Sequence, residues 1–261
     1  MNESPAVTIE IAGAVAVVTL DRPPANAYDE RLQRDLLAAV ARLDDSGAVR
    51  VAVLRSASPK FFCGGADIKH FAAATPGERA AVADAARATC ARIEASDVIF
   101  IAEIGGHALG GGLELAMACD IRVGATGGHL LGLTEIALGL IPGNGGTQRL
   151  ARLVGHARAM ELLVSGRTFH AEDAFRWGLL TELHDPAELR HQTDQLAVRI
   201  GRQAPLALAA TKRALRRGAG VPLAEALEVE RSESSPLLGT DDAAEGLAAF
   251  LERREPQFGG S

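Results

Sequence analysis

Hydrophobic and polar positions change their rhythm along this chain. Residues 7–12 (VTIEIA) and 14–20 (AVAVVTL) are β-branched runs on either side of Gly13, a pattern that predicts a hairpin leading into the core. After the Pro- and Asn-containing stretch "DRPPANAYDE", the residues Leu32, Leu36, Leu37, Val40 and Leu43 recur at helical spacing, so 29–43 is expected to be an amphipathic helix. A mostly apolar run at 49–54 (VRVAVL) predicts a buried strand, followed by a Gly-rich loop at 63–66 and an Ala-rich helix at about 77–95. A second buried strand, 98–104 (VIFIAEI), leads straight into "GGHALGGGLELAMACD" at 105–120. From about 156 onward strand signals nearly vanish, apart from 179–184 (LLTELH). Helical patterns take over at 186–202, 205–217, 222–235 and 241–254. The alternation predicts an α/β core with a helical C-terminal portion.

Composition narrows the function classes. The 261 residues can bury a full core, as one large domain or one domain with a smaller appendage, and the pattern favours the second. Hydrophobic residues at 48% and charged residues at 23% are ordinary values for a soluble globular protein. A net charge of -6 argues against nucleic acid or an anionic membrane as partner, so any anionic ligand must meet a local basic patch. The three cysteines, Cys63, Cys90 and Cys119, form no CxxC pair, which argues against a disulfide framework, a zinc knuckle or another metal centre. The N-terminus lacks a basic segment followed by an apolar run, and no run of about 18 apolar residues occurs, so a cytoplasmic protein is expected.

The glycines after the strand at 98–104 invite three chemical readings. A dinucleotide fingerprint, G-x-G-x-x-G, fails at 105–112, at 124–128 and at 143–146. A P-loop fails because none of the three lysines, Lys60, Lys69 and Lys212, follows a glycine. A hydrolase elbow, G-x-S-x-G, is absent. What survives is their shared physics: glycines let a ligand approach backbone N–H groups at a helix N-terminus, where free donors and the dipole favour negative charge. A tight turn needing positive φ would also use one glycine, but three in succession at 110–112 point to the site.

Glu114 sits among Leu113, Leu115, Ala116, Met117 and Ala118, so it is expected to be desolvated. Burial raises a carboxyl pKa and a helix N-terminus lowers it, which makes such a group tunable as a general acid or base. Glu135, in "GLTEIALGLIPGNGGTQR" at 132–149, is also flanked by apolar sequence, although a solvated helix cap would read the same way. A third cluster, "KFFCGGADIKH" at 60–70, places Gly64 and Gly65 between Lys60 and Lys69.

Together, "FFCGGADIKHF", "IGGHALGGGLELAMACDIRV" and "GLTEIALGLIPGNGGTQRLARLVG" resemble the enoyl-CoA hydratase/isomerase (crotonase) superfamily, and the likeness runs from "RPPANA" to "EGLAAFLERREPQF". The resemblance implies a crotonase-like spiral of ββα turns at 1–200 carrying a CoA-thioester site. Residues 201–261 would form a helical region that mediates a homotrimer, often paired into a hexamer, and completes the CoA site. It implies that the N–H groups of Ala66 and Gly111 grip the thioester carbonyl, and that Glu114 and Glu135 hold the water added across a C2–C3 double bond. It places substrate or CoA contacts at Ala25, Gly65, Asp67, Ile68, Lys69 and Gly110, and at Phe250 and Arg253 of the last helix. No metal or redox cofactor is implied, since coenzyme A is part of the substrate.

Retention of both glutamates favours hydration, because many isomerases of the family keep only one. Thr134 stands where hydratases often have Pro, and the span between the glutamates is about one residue longer than usual, near "GATGGH". Tyr28 stands where a small aliphatic residue or Leu is frequent, Cys63 replaces a small residue, and both bear on acyl-chain choice. The expectation is an enoyl-CoA hydratase giving a 3-hydroxyacyl-CoA. The rival readings are an isomerase or specialised-pathway hydratase of the same family, and a non-catalytic CoA-binding subunit.

Overall fold

The computed structural model describes residues 5–261, so the first four residues of the "MNESPAVTIE" stretch read for a targeting signal lie outside the described residues. Strands β1 (Val7–Ala12) and β2 (Val15–Leu20) form the expected antiparallel hairpin. Helix α1 (Glu30–Asp45) is capped by the Asp29 carboxylate, which accepts from the Leu32 N–H at 3.0 Å. Its Leu32, Leu36, Val40 and Leu43 are buried, the stripe that the spacing predicts.

Three further passes of the chain repeat one unit. β3 (Val51–Ser56) and β4 (Phe61–Cys63) lead to α2 (Ile68–Ala73) and α3 (Pro76–Ala95). β5 (Ile99–Ile104) and β6 (His107–Leu109) lead to α4 (Gly111–Ala118). β7 (Ile121–Ala125) and β8 (Leu131–Gly132) lead to a 3-10 turn at Glu135–Leu138 and α5 (Gly146–Val154). The first strand of each unit joins a six-stranded sheet and the second a three-stranded parallel sheet, β4-β6-β8. This is the expected spiral of ββα turns. α6 (His156–Ser165) and α7 (Ala171–Arg176) follow, and β9 (Glu182–His184) closes the large sheet in the order β1-β2-β3-β5-β7-β9. The helices α8 (Leu189–Gly201), α9 (Pro205–Gly218), α10 (Leu223–Ser234) and α11 (Asp241–Glu252) complete the chain.

The strands β3, β5 and β7 are buried on both faces and mostly apolar, each carrying one buried charged residue, Arg55, Glu103 and Arg122. Val51, Val53, Ile101 and Val123 pack against Leu189 and Leu196 of α8, while Ala52, Leu54, Phe100 and Ala102 face the main core. Each fully buried Val, Leu, Ile or Phe side chain contributes about 1.5–3 kcal/mol.

Some boundaries differ from the pattern. The strand expected at 49–54 runs from Val51 to Ser56, because Arg55 is buried inside the sheet against Glu103 of β5, at 2.9 Å, and so does not end it. The strand expected at 179–184 is only Glu182–His184, since Leu179 and Leu180 are spent on core packing before it. The stretch "GATGGH" runs from the end of β7 into the turn before β8, where Gly127 takes φ +130°. No helix among the described residues is long and apolar enough to cross a membrane.

Candidate active site

The loop after β4 and the N-terminus of α4 lie against each other beside buried Tyr28. A β-carbon on Gly65, at φ +86°, would fall 2.8 Å from the Leu109 carbonyl oxygen and 3.4 Å from the Gly111 nitrogen, so only glycine permits this approach. The Tyr28 N–H donates to the Gly65 carbonyl at 2.8 Å and the Asp67 N–H donates to the Tyr28 carbonyl at 2.9 Å. That parallel bridge is centred on Ala66, which turns the Ala66 amide away from Tyr28. Gly111 opens α4, and first-turn N–H groups have no acceptor inside their own helix. Two backbone donors are thus free of the pairing that fixes their loops.

Glu114 lies in the first turn of α4 and is 1% exposed. Its Oε1 accepts the Asn144 and Gly146 N–H groups, each at 2.7 Å. Burial lifts its pKa, and these two donors, with the Arg149 guanidinium, pull it back. Glu135 opens the 3-10 turn instead of capping a helix, and its Oε2 is buried with no hydrogen-bond partner among the described residues. Burial, and secondarily the Glu114 charge, push its pKa up to about 7. Glu135 Oε1 would lie 3.0 Å from a β-carbon on Gly110, which sets its carboxyl against the entrance of α4. The two carboxyls therefore share one end of α4 but differ in environment: one is held by donors, the other is left without them.

This difference has a stability consequence. A carboxyl with a raised folded-state pKa costs the fold nothing at low pH and destabilises it as pH rises from 4.5 through about 7. Glu135→Gln should therefore raise the melting temperature relative to the parent at about pH 8 and leave it nearly unchanged at about pH 4. Thermal melts at the two pH values check this; an equal shift at both would contradict it.

The remaining expected residues fall into two groups. Ala25 sits beside the site, its carbonyl accepting the Gly64 N–H at 2.8 Å. Asp67 caps α2, accepting from the His70 N–H at 3.2 Å, and pairs with Arg22 at 3.1 Å; the His70 donor and then Arg22 hold its carboxyl below the usual range. Ile68 and Lys69 are exposed in the first turn of α2, and the Lys60 ammonium lies 5.7 Å from the centre of the Phe61 ring. Phe250 and Arg253 are exposed at the end of α11, and among the described residues no hydrogen bond or ion pair ties them to the glutamate loops.

Of the two unusual residues, Tyr28 borders the site. Its hydroxyl accepts from the Asn144 side-chain amide at 3.0 Å and lies over Gly111, where a β-carbon would come within 2.1 Å of it. Burial raises its pKa well above the usual phenol range. Cys63 is fully buried and its thiol donates to the Asn26 carbonyl at 3.1 Å, while burial pushes its pKa up to about 11. Asn144 and Arg149 escaped the sequence reading as site residues. The only signal for them was the "GNGG" turn before a helical run.

The chain matches the family model described as enoyl-CoA hydratase/isomerase over residues 10–261. It is 37% identical to a probable enoyl-CoA hydratase of Bacillus subtilis, over 98% of this chain and 99% of that one. It is 38% identical to the (E)-benzylidenesuccinyl-CoA hydratase of Thauera aromatica, with the same coverage of 98% and 99%. A crystal structure of an enoyl-CoA hydratase from Bacillus anthracis superposes with a TM-score of 0.95 at 34% identity, over 98% of this chain and 100% of that one. Fold, glycine loops and near full-length likeness agree, and the chain belongs to the enoyl-CoA hydratase/isomerase family.

Proposed function

We propose that this protein is an enoyl-CoA hydratase, adding water reversibly to a trans-2-enoyl-CoA to give a 3-hydroxyacyl-CoA. The observation that carries this reading is the pair of carboxyls at one end of α4, Glu114 held by two backbone donors and Glu135 without any on Oε2. Burial pushes Glu135 up to about 7, so it can carry a proton near neutrality, while two backbone donors on Oε1 favour the charged form of Glu114.

In this reading the thioester oxygen accepts hydrogen bonds from the Ala66 and Gly111 amides. A water between the glutamates gives a proton to Glu114 as its oxygen attacks C3. Electron density moves through C2 to the thioester oxygen, and Glu135 protonates C2. One water is consumed, and a proton passing from Glu114 to Glu135 restores the starting state. The steps use no resident metal or redox group. Conversion of crotonyl-CoA, followed by the loss of the enoyl thioester's ultraviolet absorbance, tests the reading; a folded protein with no turnover on any 2-enoyl-CoA would contradict it.

A second reading concerns the acyl group. The buried phenol of Tyr28 beside Gly111, and the likeness to the Thauera aromatica protein, favour a hydratase for a specialised acyl chain. A turnover screen across linear, branched and aromatic enoyl-CoAs separates the two.

An acidic protein must concentrate cations where it meets phosphate, and we assign that role to Lys69 and Arg253. Leu247, Phe250 and Leu251 are 69%, 82% and 81% exposed on α11, which supports a homotrimer, or a hexamer built from two, whose subunits share the CoA site through this helix. Arg253→Ala should raise the KM for acyl-CoA roughly 10-fold to 100-fold with kcat little changed, the loss of a charge-assisted hydrogen bond. Steady-state kinetics check this, and an unchanged KM would remove Arg253 from the site.

A further inference from the structure

The turn at 144–146 that supplies both N–H donors to Glu114 has a support of its own. Arg149, on the first turns of α5, donates through Nη1 to the Asn144 carbonyl. Its guanidinium lies so close to the turn that a β-carbon on Gly145 would fall 2.2 Å from Nη1. The other edge of the guanidinium grips Glu94 as a fork, Nε to Oε1 at 2.8 Å and Nη2 to Oε2 at 2.7 Å. Glu94 occupies the last turn of α3, where the helix dipole disfavours a carboxylate. Its presence there is offset by a second cation, Arg216 of α9, at 2.5 Å. Arg216 also reaches the Ala118 carbonyl and Asp120 at the end of α4, both at 2.8 Å. One polar chain thus runs from the Glu114 donors through α5 and α3 to α9.

We propose that Arg149 is the positioning residue for Glu114: clamped by Glu94, which Arg216 anchors to α9, it fixes the 144–146 turn and brings a cation to the carboxyl. Catalytic contact with substrate is not required of it. The inference rests on the hydratase reading only for the consequence in turnover. The titratable and charged groups around Glu114 and its turn include Arg149 of α5, Glu94, Cys90 and Arg87 of α3, Cys63 of β4, Tyr28, and Glu135 of the 3-10 turn, Arg87 donating to the Gly143 carbonyl at 3.4 Å. Of the two cations, Arg87 is exposed and pairs with Asp84, whereas Arg149 binds the carbonyl of Asn144, itself a donor to Glu114, and Glu94 compensates its charge.

A purely structural clamp and a positioning cation predict different results. Arg149→Met removes the charge and loosens both donors, so Glu114 should titrate about one pH unit higher. Glu94→Gln leaves the Arg149 charge uncompensated, so Glu114 should titrate lower than in the parent. Arg149→Lys keeps a charge without the fork and should lie between the parent and Arg149→Met. Carbon-13 NMR of protein labelled at the glutamate δ-carbon, with the Glu114 signal assigned by Glu114→Gln, reads these midpoints in the absence of substrate. With crotonyl-CoA, the pH profile of kcat should move in the same directions while KM stays within about twofold, the pattern of a group acting on the chemical step.

Midpoints that stay fixed in folded variants, or that move the same way in Arg149→Met and Glu94→Gln, would overturn the proposal. Should Arg149→Met fail to fold, the sign of the Glu94→Gln shift decides alone. Midpoints that move as stated in a protein that hydrates no enoyl-CoA would leave the positioning role standing and remove the hydratase reading.

Discussion

Glu114→Gln and Glu135→Gln are each expected to lower the hydration rate by roughly 10²-fold or more, with acyl-CoA binding nearly intact. Gln is nearly isosteric with Glu, so both variants keep the shape of the site and lose only the proton chemistry. Gln at 114 can still accept the Asn144 and Gly146 N–H groups through its carbonyl oxygen, which makes this variant a test of charge more than of folding. Gln at 135 cannot give up a proton to C2. The double variant should lose less than the product of the single losses, because two groups acting on one water do not contribute independently. Stopped-flow or steady-state hydration of a good substrate, beside equilibrium binding of a non-reactive acyl-CoA, checks all three. Near-parental turnover in either single variant would break the two-glutamate assignment.

The second large effect concerns a backbone atom. Ala66→Pro should cost about 2.7–4 kcal/mol in the transition state, the contribution of one oxyanion donor. The substitution is well isolated by the local pairing. The bridge to Tyr28 uses the Gly65 carbonyl and the Asp67 N–H, so a ring at 66 removes an amide that this bridge does not need. Ala66→Ser keeps the amide and should retain most of the activity. A folded Ala66→Pro protein with parental kcat would exclude the donor role of Ala66.

The sequence disclosed most where burial leaves a local pattern. Val51–Leu54 and Phe100–Ile104 read as strands because both of their faces are covered, and the stripe of α1 reads at its period. Strands of two or three residues, such as β4, β6 and β8, have no room for a period, so the second sheet was legible only through the family likeness. β7 was hidden by a charge: Arg122 is buried in it because its guanidinium donates to the Leu179 and Cys119 carbonyls. At the site, the apolar neighbours of Glu114 announced its burial. Its donors did not announce themselves, because Asn144 and Gly146 lie 30 and 32 residues away and act through backbone atoms. Arg149 meets Glu94 across 55 residues, a pairing created by the packing of both α5 and α3 on α4.

The most direct test of the central claim is to incubate the protein with crotonyl-CoA in oxygen-18 water and follow the thioester by mass spectrometry. The account predicts a 3-hydroxybutyryl-CoA carrying one heavy oxygen at C3, formed at a rate that collapses in Glu114→Gln and Glu135→Gln. A shifted double bond with no oxygen-18 incorporated, or thioester returned unchanged by the folded protein, would contradict it.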